Sequence, residues 1–224
     1  MTLQATARTA LKRGDLAAAS AAARQLALAE PDRAEGYFLL GMVAAEAGQI
    51  AKAVPLLQAA VERGPEAEHL AQLAKLLTLL RRDGEAAEAV RAALALKSGD
   101  ALTLDTIGCV LARLGDHESS IAPFTAAVAT APDNLEFRYN LAAASGFTGR
   151  VDDARSHYEA ILSADPGNAR VHYALAILSR QTAEANHIER LKSALAQAGE
   201  PAEALRIRYA LAKELVGKYY EIED

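Results

Sequence analysis

The chain has 224 residues, 53 of them alanine, and its net charge at pH 7 is −5. The aromatic content of 5% and the many alanines exclude an aromatic-rich β-sandwich or barrel, because strands favour aromatic and β-branched residues whereas alanine is the best helix former. The acidic charge argues against nucleic acid as a partner, and the single cysteine, Cys109, excludes an internal disulfide framework and a zinc site built on several thiolates.

The sequence also predicts a protein that does not insert into a membrane. No apolar run approaches the ~18 residues that a spanning helix needs. Residues Met1 to Ala10 lack the basic and then apolar pattern of a secretory signal. Together with the single cysteine, these features predict a cytoplasmic protein.

Two series of turn-forming residues recur along the chain with one common period. In both series, successive members lie 34, 67 and 34 residues apart, and the gap of 67 corresponds to two periods. The members are Gly14, Gly48, Gly115 and Gly149 in one series, and Pro31, Pro65, Pro132 and Pro166 in the other. Because glycine permits the positive φ of a helix stop and proline cannot continue a helix, each period is predicted to be helix, Gly turn, helix, Pro turn.

Both series lack a member in the third period. Arg81 stands where the glycine is expected and Ser98 where the proline is expected, so the third unit is the weakest match. Asp100 and Asn168 stand just before predicted helices, where their side chains can accept hydrogen bonds from free backbone N–H groups. We therefore expect both residues to be helix N-caps.

Small residues recur with the same period between the turns. The first helices carry Ala7, Gly41, Ala74, Gly108, Ala142 and Ala176, and the second helices carry Ala19, Ala53, Ala86, Ser120 and Ala154. Larger residues such as Phe124 and Tyr158 follow the second series at a spacing of four, on the same helix face. We expect the small residues to let paired helices approach closely and the larger residues to fill the core.

A 34-residue two-helix unit with Gly41, Gly48, Ala53, Ala60 and Pro65 in this order resembles the tetratricopeptide repeat (TPR). Residues 1–168 are predicted to form five such units, with approximate bounds 1–33, 34–66, 67–100, 101–134 and 135–168. Residues 169–224 are predicted to form a degenerate sixth unit and C-terminal capping helices that stop in the middle of a repeat. The resemblance implies an all-α fold, a right-handed α-solenoid of tandem helix-turn-helix repeats.

The resemblance also implies a non-catalytic scaffold that binds a peptide or protein partner in a concave groove lined by the first helices. Helical geometry places one set of side chains on that groove face. The set is Phe38, Met42, Gln72, Lys75, Asp105, Thr106, Cys109, Tyr139, Asn140, Phe147, Arg170, Tyr173 and Ile177.

Two features of this set suggest how a partner is bound. Gln72, Thr106 and Asn140 occupy equivalent positions and are predicted to form a polar ladder that hydrogen-bonds a bound backbone. Tyr139, Phe147 and Tyr173 gather aromatic side chains in the C-terminal half, and aromatic residues are favoured at interface hot spots. Solvated polar side chains, and packing between adjacent repeats, are the alternative interpretations of these two features.

A second resemblance covers Ala169 to Asp224. The strings His172-Tyr173-Ala174-Leu175 and Tyr209-Ala210-Leu211-Ala212-Lys213 are similar to the segment that closes the repeat array of bacterial TPR-sulfotransferases. That resemblance implies a substrate-recruiting or dimerising N-terminal region of an enzyme whose catalytic domain is absent from this sequence.

A third interpretation is an oligomerisation module. In it, the C-terminal helices pair with a second copy of the chain, and a charge at Leu211 or Leu215 is expected to weaken the dimer.

The sequence predicts no catalytic residue, no cofactor and no metal site. The histidines are His69, His117, His157, His172 and His187, and none lies three or four residues from another, as a helical metal motif requires. Cys109 has no neighbouring histidine and is expected to be a packed small side chain, with a reactive or ligand-contacting thiol as the alternative.

Overall fold

The fold is all-α, as predicted, and consists of a solenoid of helical repeats. The computed structural model describes residues 2–178 and 186–220, the last four of these by their backbone alone. The described residues contain thirteen α-helices and no strand. The helices are α1 (Leu3–Lys12), α2 (Leu16–Ala29), α3 (Ala34–Glu46), α4 (Ile50–Arg63), α5 (Ala67–Leu79), α6 (Asp83–Ala95), α7 (Ala101–Arg113), α8 (His117–Thr130), α9 (Leu135–Phe147), α10 (Val151–Ala164), α11 (Ala169–Leu178), α12 (Ile188–Gln197) and α13 (Pro201–Tyr220).

The chain divides into two compact units, Met1–Pro123 and Phe124–Asp224, whose boundary falls within α8. In the first unit, the helices α1 to α6 pair as three successive hairpins, and α2, α4 and α6 also pack against the first helix of the next hairpin. In the second unit, α9 pairs with α10, α10 packs on α11, and α13 packs on both α11 and α12. The bounds of the five repeats and of the C-terminal part stay a prediction.

The turns between paired helices follow the glycine series. Gly14, Gly48, Gly115 and Gly149 all have φ between 73° and 88°, the left-handed conformation that ends a helix. Arg81 has φ 59° and occupies the same turn in the third period without a glycine. The repeat therefore imposes a left-handed turn at this position, although arginine disfavours a positive φ.

The two series of small residues lie in the core, as predicted. Every alanine of both series is 0% exposed, and Ser120 of the second series is equally buried. At Gly41, an added Cβ would lie 2.8 Å from a side-chain carbon of Leu57, which belongs to the partner helix α4. A small residue is thus required at position 41, and Leu57, Phe124 and Tyr158 are buried large residues of the core.

The predicted N-caps are confirmed. Asp100 accepts a hydrogen bond from the Thr103 amide at 2.8 Å, and Asn168 accepts one from the Val171 amide at 3.1 Å. These bonds satisfy N–H groups that have no partner within the first turn of a helix. Residues 179–185 and 221–224, which belong to the predicted C-terminal part 169–224, lie outside the described part.

Candidate functional site

A shallow groove of about 230 Å³ lies between α5 and α7 in the first unit. Both helices are first helices of their hairpins, and they pack side by side. Lys75, Thr78 and Leu79 line the groove from α5. The α7 side is formed by one helix face, with residues at spacings of three and four: Leu102, Asp105, Thr106, Cys109, Val110 and Arg113.

The groove presents large apolar side chains to solvent. Leu79 is 45% exposed and Leu102 is 58% exposed, one on each helix, and Val110 is buried. Exposed leucines that flank a concave surface are typical of sites where a partner's apolar side chain is bound. The apolar part of the groove can therefore hold such a side chain.

The polar groups of the groove have unequal exposure. Asp105 is only 9% exposed, and its Oδ2 lies 3.8 Å from the Cys109 sulfur. Lys75 and Arg113 are exposed, so two cations lie at the surface around one nearly buried carboxylate. Cys109 is also exposed, which contradicts its expected packing as a small core side chain.

Four of the residues predicted to line a groove meet here: Lys75, Asp105, Thr106 and Cys109. The polar ladder is less open than expected. The Thr106 hydroxyl is buried and donates to the Leu102 carbonyl at 2.8 Å, while Gln72 is half-buried on α5. Thr106 thus uses its only donor within its own helix.

Phe38 does not line an open surface. It is 2% exposed, its ring centroid lies 4.4 Å from that of His69, and the Arg8 guanidinium lies 5.4 Å from its centroid. Its neighbour in the predicted set, Met42, is half-buried and packs against the core. Placing Phe38 on the groove face is therefore wrong, because the long side chain of Arg8 covers that position.

An ionic cluster that the sequence did not predict contains the arginine beside Phe38. Arg8 Nε lies 2.8 Å from Glu35 Oε1, and Arg8 Nη2 lies 3.0 Å from Glu68 Oε2, so one guanidinium joins α1, α3 and α5. Burial opposes the charged form of Arg8, but its hydrogen bonds to the two glutamates raise its pKa above the usual value. The signal in the sequence is the recurrence of Glu35 and Glu68 at equivalent repeat positions.

In the second unit, α9 and α11 carry a stacked cation. The Arg170 guanidinium lies 3.5 Å from the Tyr139 ring centroid, and its Nη1 lies 2.7 Å from Glu136 Oε1. Burial opposes the charged form of Arg170, but its interactions with Tyr139 and Glu136 raise its pKa. The other side of the cluster is closed by Tyr158, whose ring centroid lies 5.5 Å from that of Tyr139. Burial raises the pKa of Tyr158 further above its ordinary range, and Tyr139 adds to the effect.

The remaining predicted residues lie on the same two helices. Phe147, Tyr173 and Ile177 are exposed, and Asn140 is half-buried. Tyr139 is half-buried, in keeping with packing between adjacent repeats, and none of these residues lines the α5–α7 groove. Their role in binding a partner stays a prediction.

The described residues offer neither a metal cluster nor a membrane-spanning helix. No group of three or more histidine, cysteine, aspartate and glutamate side chains could hold a metal ion there. Within the same residues, no helix is long and apolar enough to cross a membrane.

Comparison with known proteins gives consistent matches. One family model for the tetratricopeptide repeat matches residues 5–68 and 43–101, and a second model for the same repeat matches residues 111–178. A TPR repeat-containing thioredoxin from Arabidopsis thaliana, TTL4, is 28% identical over 130 residues, which cover 58% of this chain. The match spans only 19% of that relative's length.

Solved structures share the fold. YrrB, a TPR protein with an unusual peptide-binding site, superposes with a TM-score of 0.65 at 17% identity and covers 84% of this chain and 97% of its own. A tetratricopeptide repeat protein from Parabacteroides merdae gives a TM-score of 0.62 at 15% identity, with 96% of this chain and 89% of its own covered. A chain of the APC/C hetero-tetramer Cut9-Hcn1 gives 0.68 at 19% identity, over 93% of this chain and 42% of its own.

Proposed function

The chain belongs to the tetratricopeptide-repeat family, and from this premise we propose that it is a non-catalytic scaffold that binds a segment of a partner protein in the α5–α7 groove. The observation that carries the proposal is the pair of exposed leucines, Leu79 and Leu102, on facing helices. Stacked repeats expose the surface of their first helices to a partner, and these leucines belong to two such helices.

The chemistry of the groove favours a peptide segment with an apolar side chain. That side chain contacts Leu79 and Leu102, and its burial provides the affinity. Lys75 and Arg113 lie at the groove surface, where they can select an acidic residue next to the apolar one. Asp105 is nearly buried, so it disfavours a ligand carboxylate placed deep in the groove.

Selection of short random peptides displayed on phage against the whole chain tests the proposal. We expect enriched peptides to share a large apolar residue. Their affinity, measured by fluorescence anisotropy, should fall about tenfold or more for Leu102→Glu and for Leu79→Glu, because each charge occupies the apolar contact.

Leu28→Glu is the matched control. Leu28 lies on α2, is 83% exposed and does not line the groove, so the same change of size and charge should leave affinity within about twofold. Far-UV circular dichroism should show that all three variants are folded. The proposal is wrong if no peptide is enriched, or if the enriched peptides bind Leu102→Glu and Leu79→Glu as tightly as the original chain.

A protein partner, the absence of nucleic acid among the ligands and a cytoplasmic location are parts of the same proposal. The acidic net charge and the single cysteine support them. The sulfotransferase interpretation and self-association through the C-terminal helices stay predictions.

A further inference from the structure

Helix α13 has two apolar faces. One face carries Ile207 and Ala210, both 0% exposed, which pack into the core formed with α11 and α12. On the opposite side of the helix, large apolar side chains face solvent: Leu205 is 52%, Tyr209 62% and Val216 54% exposed. With the exposed Ala212, they form the outer stripe of α13, whose members are spaced by four, three and four residues.

The sequence indicates two apolar residues of α13 for contact with a second copy, and neither belongs to the outer stripe. Leu211 and Leu215, where a charge was expected to weaken a dimer, are only half-exposed, and Leu211 packs against the core of α11 to α13. A charge at Leu211 would therefore disturb the fold of this chain rather than a contact with another molecule. The outer stripe is the apolar surface that α13 offers to a partner.

A buried carboxylate fixes the rotation of α13 about its own axis. Glu214 is 1% exposed and accepts hydrogen bonds from the backbone amide of His187 and from His187 Nδ1, the latter at 2.8 Å. Rotating α13 to bury the outer stripe would expose Ile207 and break these bonds, leaving a buried carboxylate without partners. The outer stripe therefore stays at the surface.

Between Leu205 and Val216, the exposed charges beside the stripe all have one sign, and Glu203 precedes this segment. Arg206 and Lys213 lie along one edge of the stripe and Arg208 lies along the other, and all three are exposed. The acidic residue between Leu205 and Val216 is Glu214, which is buried. A chain with a net charge of −5 thus has a local excess of positive charge around this apolar stripe.

We propose that the outer stripe of α13 docks an amphipathic helix of a partner protein whose apolar face is flanked by acidic residues. The stripe is one helix wide and about 17 Å long at 1.5 Å per residue, which suits ridges-into-grooves packing of a second helix. Tyrosine and arginine are the residues on which interface affinity most often depends, and the stripe and its edges contain both. Acidic flanks on the partner complement Arg206, Arg208 and Lys213.

A second copy of the chain fits this face poorly. In a symmetric dimer the same patch lies on both subunits, so each copy would place its three cations against those of the other. Like charges across an interface disfavour association. The proposal therefore commits to a partner of opposite charge.

The test uses a phage library of helical peptides, selected against the whole chain. Each peptide has leucine at four positions that form one helix face, spaced as in the outer stripe, and Glu, Lys, Gln or Ala at the positions that flank this face. We expect enrichment of Glu over Lys at the flanks. The best peptide should bind the Leu205→Glu variant about tenfold or more weakly than the original chain. It should bind the charge-reversed double variant, Arg208→Glu and Lys213→Glu, similarly weakly. A Lys-flanked twin of that peptide should instead gain affinity for the charge-reversed variant.

Two controls separate this surface from the groove and from misfolding. Leu28→Glu and the groove variant Leu102→Glu should bind the selected peptide normally, and circular dichroism should show unchanged helix content for every variant. The proposal is overturned if no peptide is enriched, if Lys is enriched at the flanks, or if charge reversal has no effect. It is also overturned if sedimentation shows that the chain forms a dimer and that Leu205→Glu dissociates this dimer. A further contrary outcome is that the chain binds vesicles containing phosphatidylserine but no peptide, and that Leu205→Glu abolishes the vesicle binding.

Discussion

Arg8 and Glu68 are separated by 60 residues in sequence, yet two hydrogen bonds of 3.1 and 3.0 Å join their side chains. Glu35, from the helix between them, binds the same guanidinium. One residue of the first helix therefore contacts the first helices of two further hairpins. Repeat arrays usually rely on contacts between neighbouring repeats alone, so this cluster couples the N-terminal part of the chain more widely.

Replacing Arg8 tests this coupling. Arg8→Ala leaves Glu35 and Glu68 without their shared cation, and we expect a loss of about 1–2 kcal/mol in the free energy of unfolding, measured in urea. Arg8→Lys should recover only part of it, because an ammonium lacks the planar fork that binds two carboxylates. Arg33→Ala, which breaks an exposed pair with Glu30, is the control and should change stability by less than about 0.5 kcal/mol. Equal losses for Arg8→Ala and Arg33→Ala would contradict the prediction.

A glycine at position 81 should stabilise the chain. Arg81 has φ 59°, a conformation that costs a side-chain-bearing residue about 1 kcal/mol and costs glycine little. We expect Arg81→Gly to raise the urea midpoint, with a gain of about 0.5–1 kcal/mol. Gly48→Ala, at φ 73° in the equivalent turn, should have the opposite effect. A destabilised Arg81→Gly would show that the arginine side chain contributes more than its backbone costs.

Gly36 is required by a close contact between helices. An added Cβ would lie 2.7 Å from the Cα and the amide nitrogen of Ala27, and neither backbone atom can move without shifting α2. We expect Gly36→Ala to destabilise the first unit by about 1–3 kcal/mol, measured by thermal unfolding followed by circular dichroism.

The control for Gly36 lies on α6. Gly84 is exposed in the first turn of that helix, and an added Cβ would meet no atom within 4 Å. Gly84→Ala should be neutral or stabilising, because alanine is the better helix former. Equal destabilisation by both variants would mean that the close contact at Gly36 does not determine the result.

Acid should weaken the second unit through His172. The imidazole is buried, its Nε2 bonds the Pro166 carbonyl at 2.9 Å, and its Nδ1 is buried without a hydrogen-bond partner. Burial lowers the pKa of His172, the Pro166 carbonyl partly offsets this, and Arg190 lowers it further. The unfolded chain therefore takes up a proton more readily than the folded chain.

The sign and the pH window follow from this difference. Stability is fully present above the unfolded pKa of about 6.5 and declines as pH falls from there towards the lower folded pKa, by at most about 1.4 kcal/mol per pH unit. His172→Gln should flatten the dependence on pH, measured by urea unfolding between neutral and mildly acidic pH. His157, whose pKa is lowered by burial and by Arg138, adds to the same trend, so the double variant should be flattest. An unchanged slope in His172→Gln would contradict the assignment.

The helices and their packing could be predicted from sequence because their signals are local and repeated. Gly48 and Gly115 mark turns by backbone geometry, and the buried series of small residues marks helix contacts by size. Arg81 stands where the period expects a glycine, and the structure shows the same left-handed turn there. In a repeat protein, the structural role of one position can be inferred from the equivalent positions of the other repeats.

The errors in the candidate site have separate physical causes. Phe38 is covered by Arg8, which comes from another hairpin, and no periodicity within one helix reports how far a long side chain reaches. Thr106 lies at the predicted repeat position, but its hydroxyl bonds its own helix rather than remaining free. Leu79 was not predicted to line the groove, because it belongs neither to the turn-forming residues nor to the small residues. Its exposure depends on the space between α5 and α7.

The bond between His187 and Glu214 has a consequence for the order in which the C-terminal region is completed. Synthesis proceeds from the N-terminus, so the start of α12 leaves the ribosome before the carboxylate that binds it, 27 residues later. Until Glu214 is synthesised, the His187 amide and imidazole lack the partner that they have in the folded chain. A chain that ends before Glu214 therefore lacks the carboxylate that joins the start of α12 to α13.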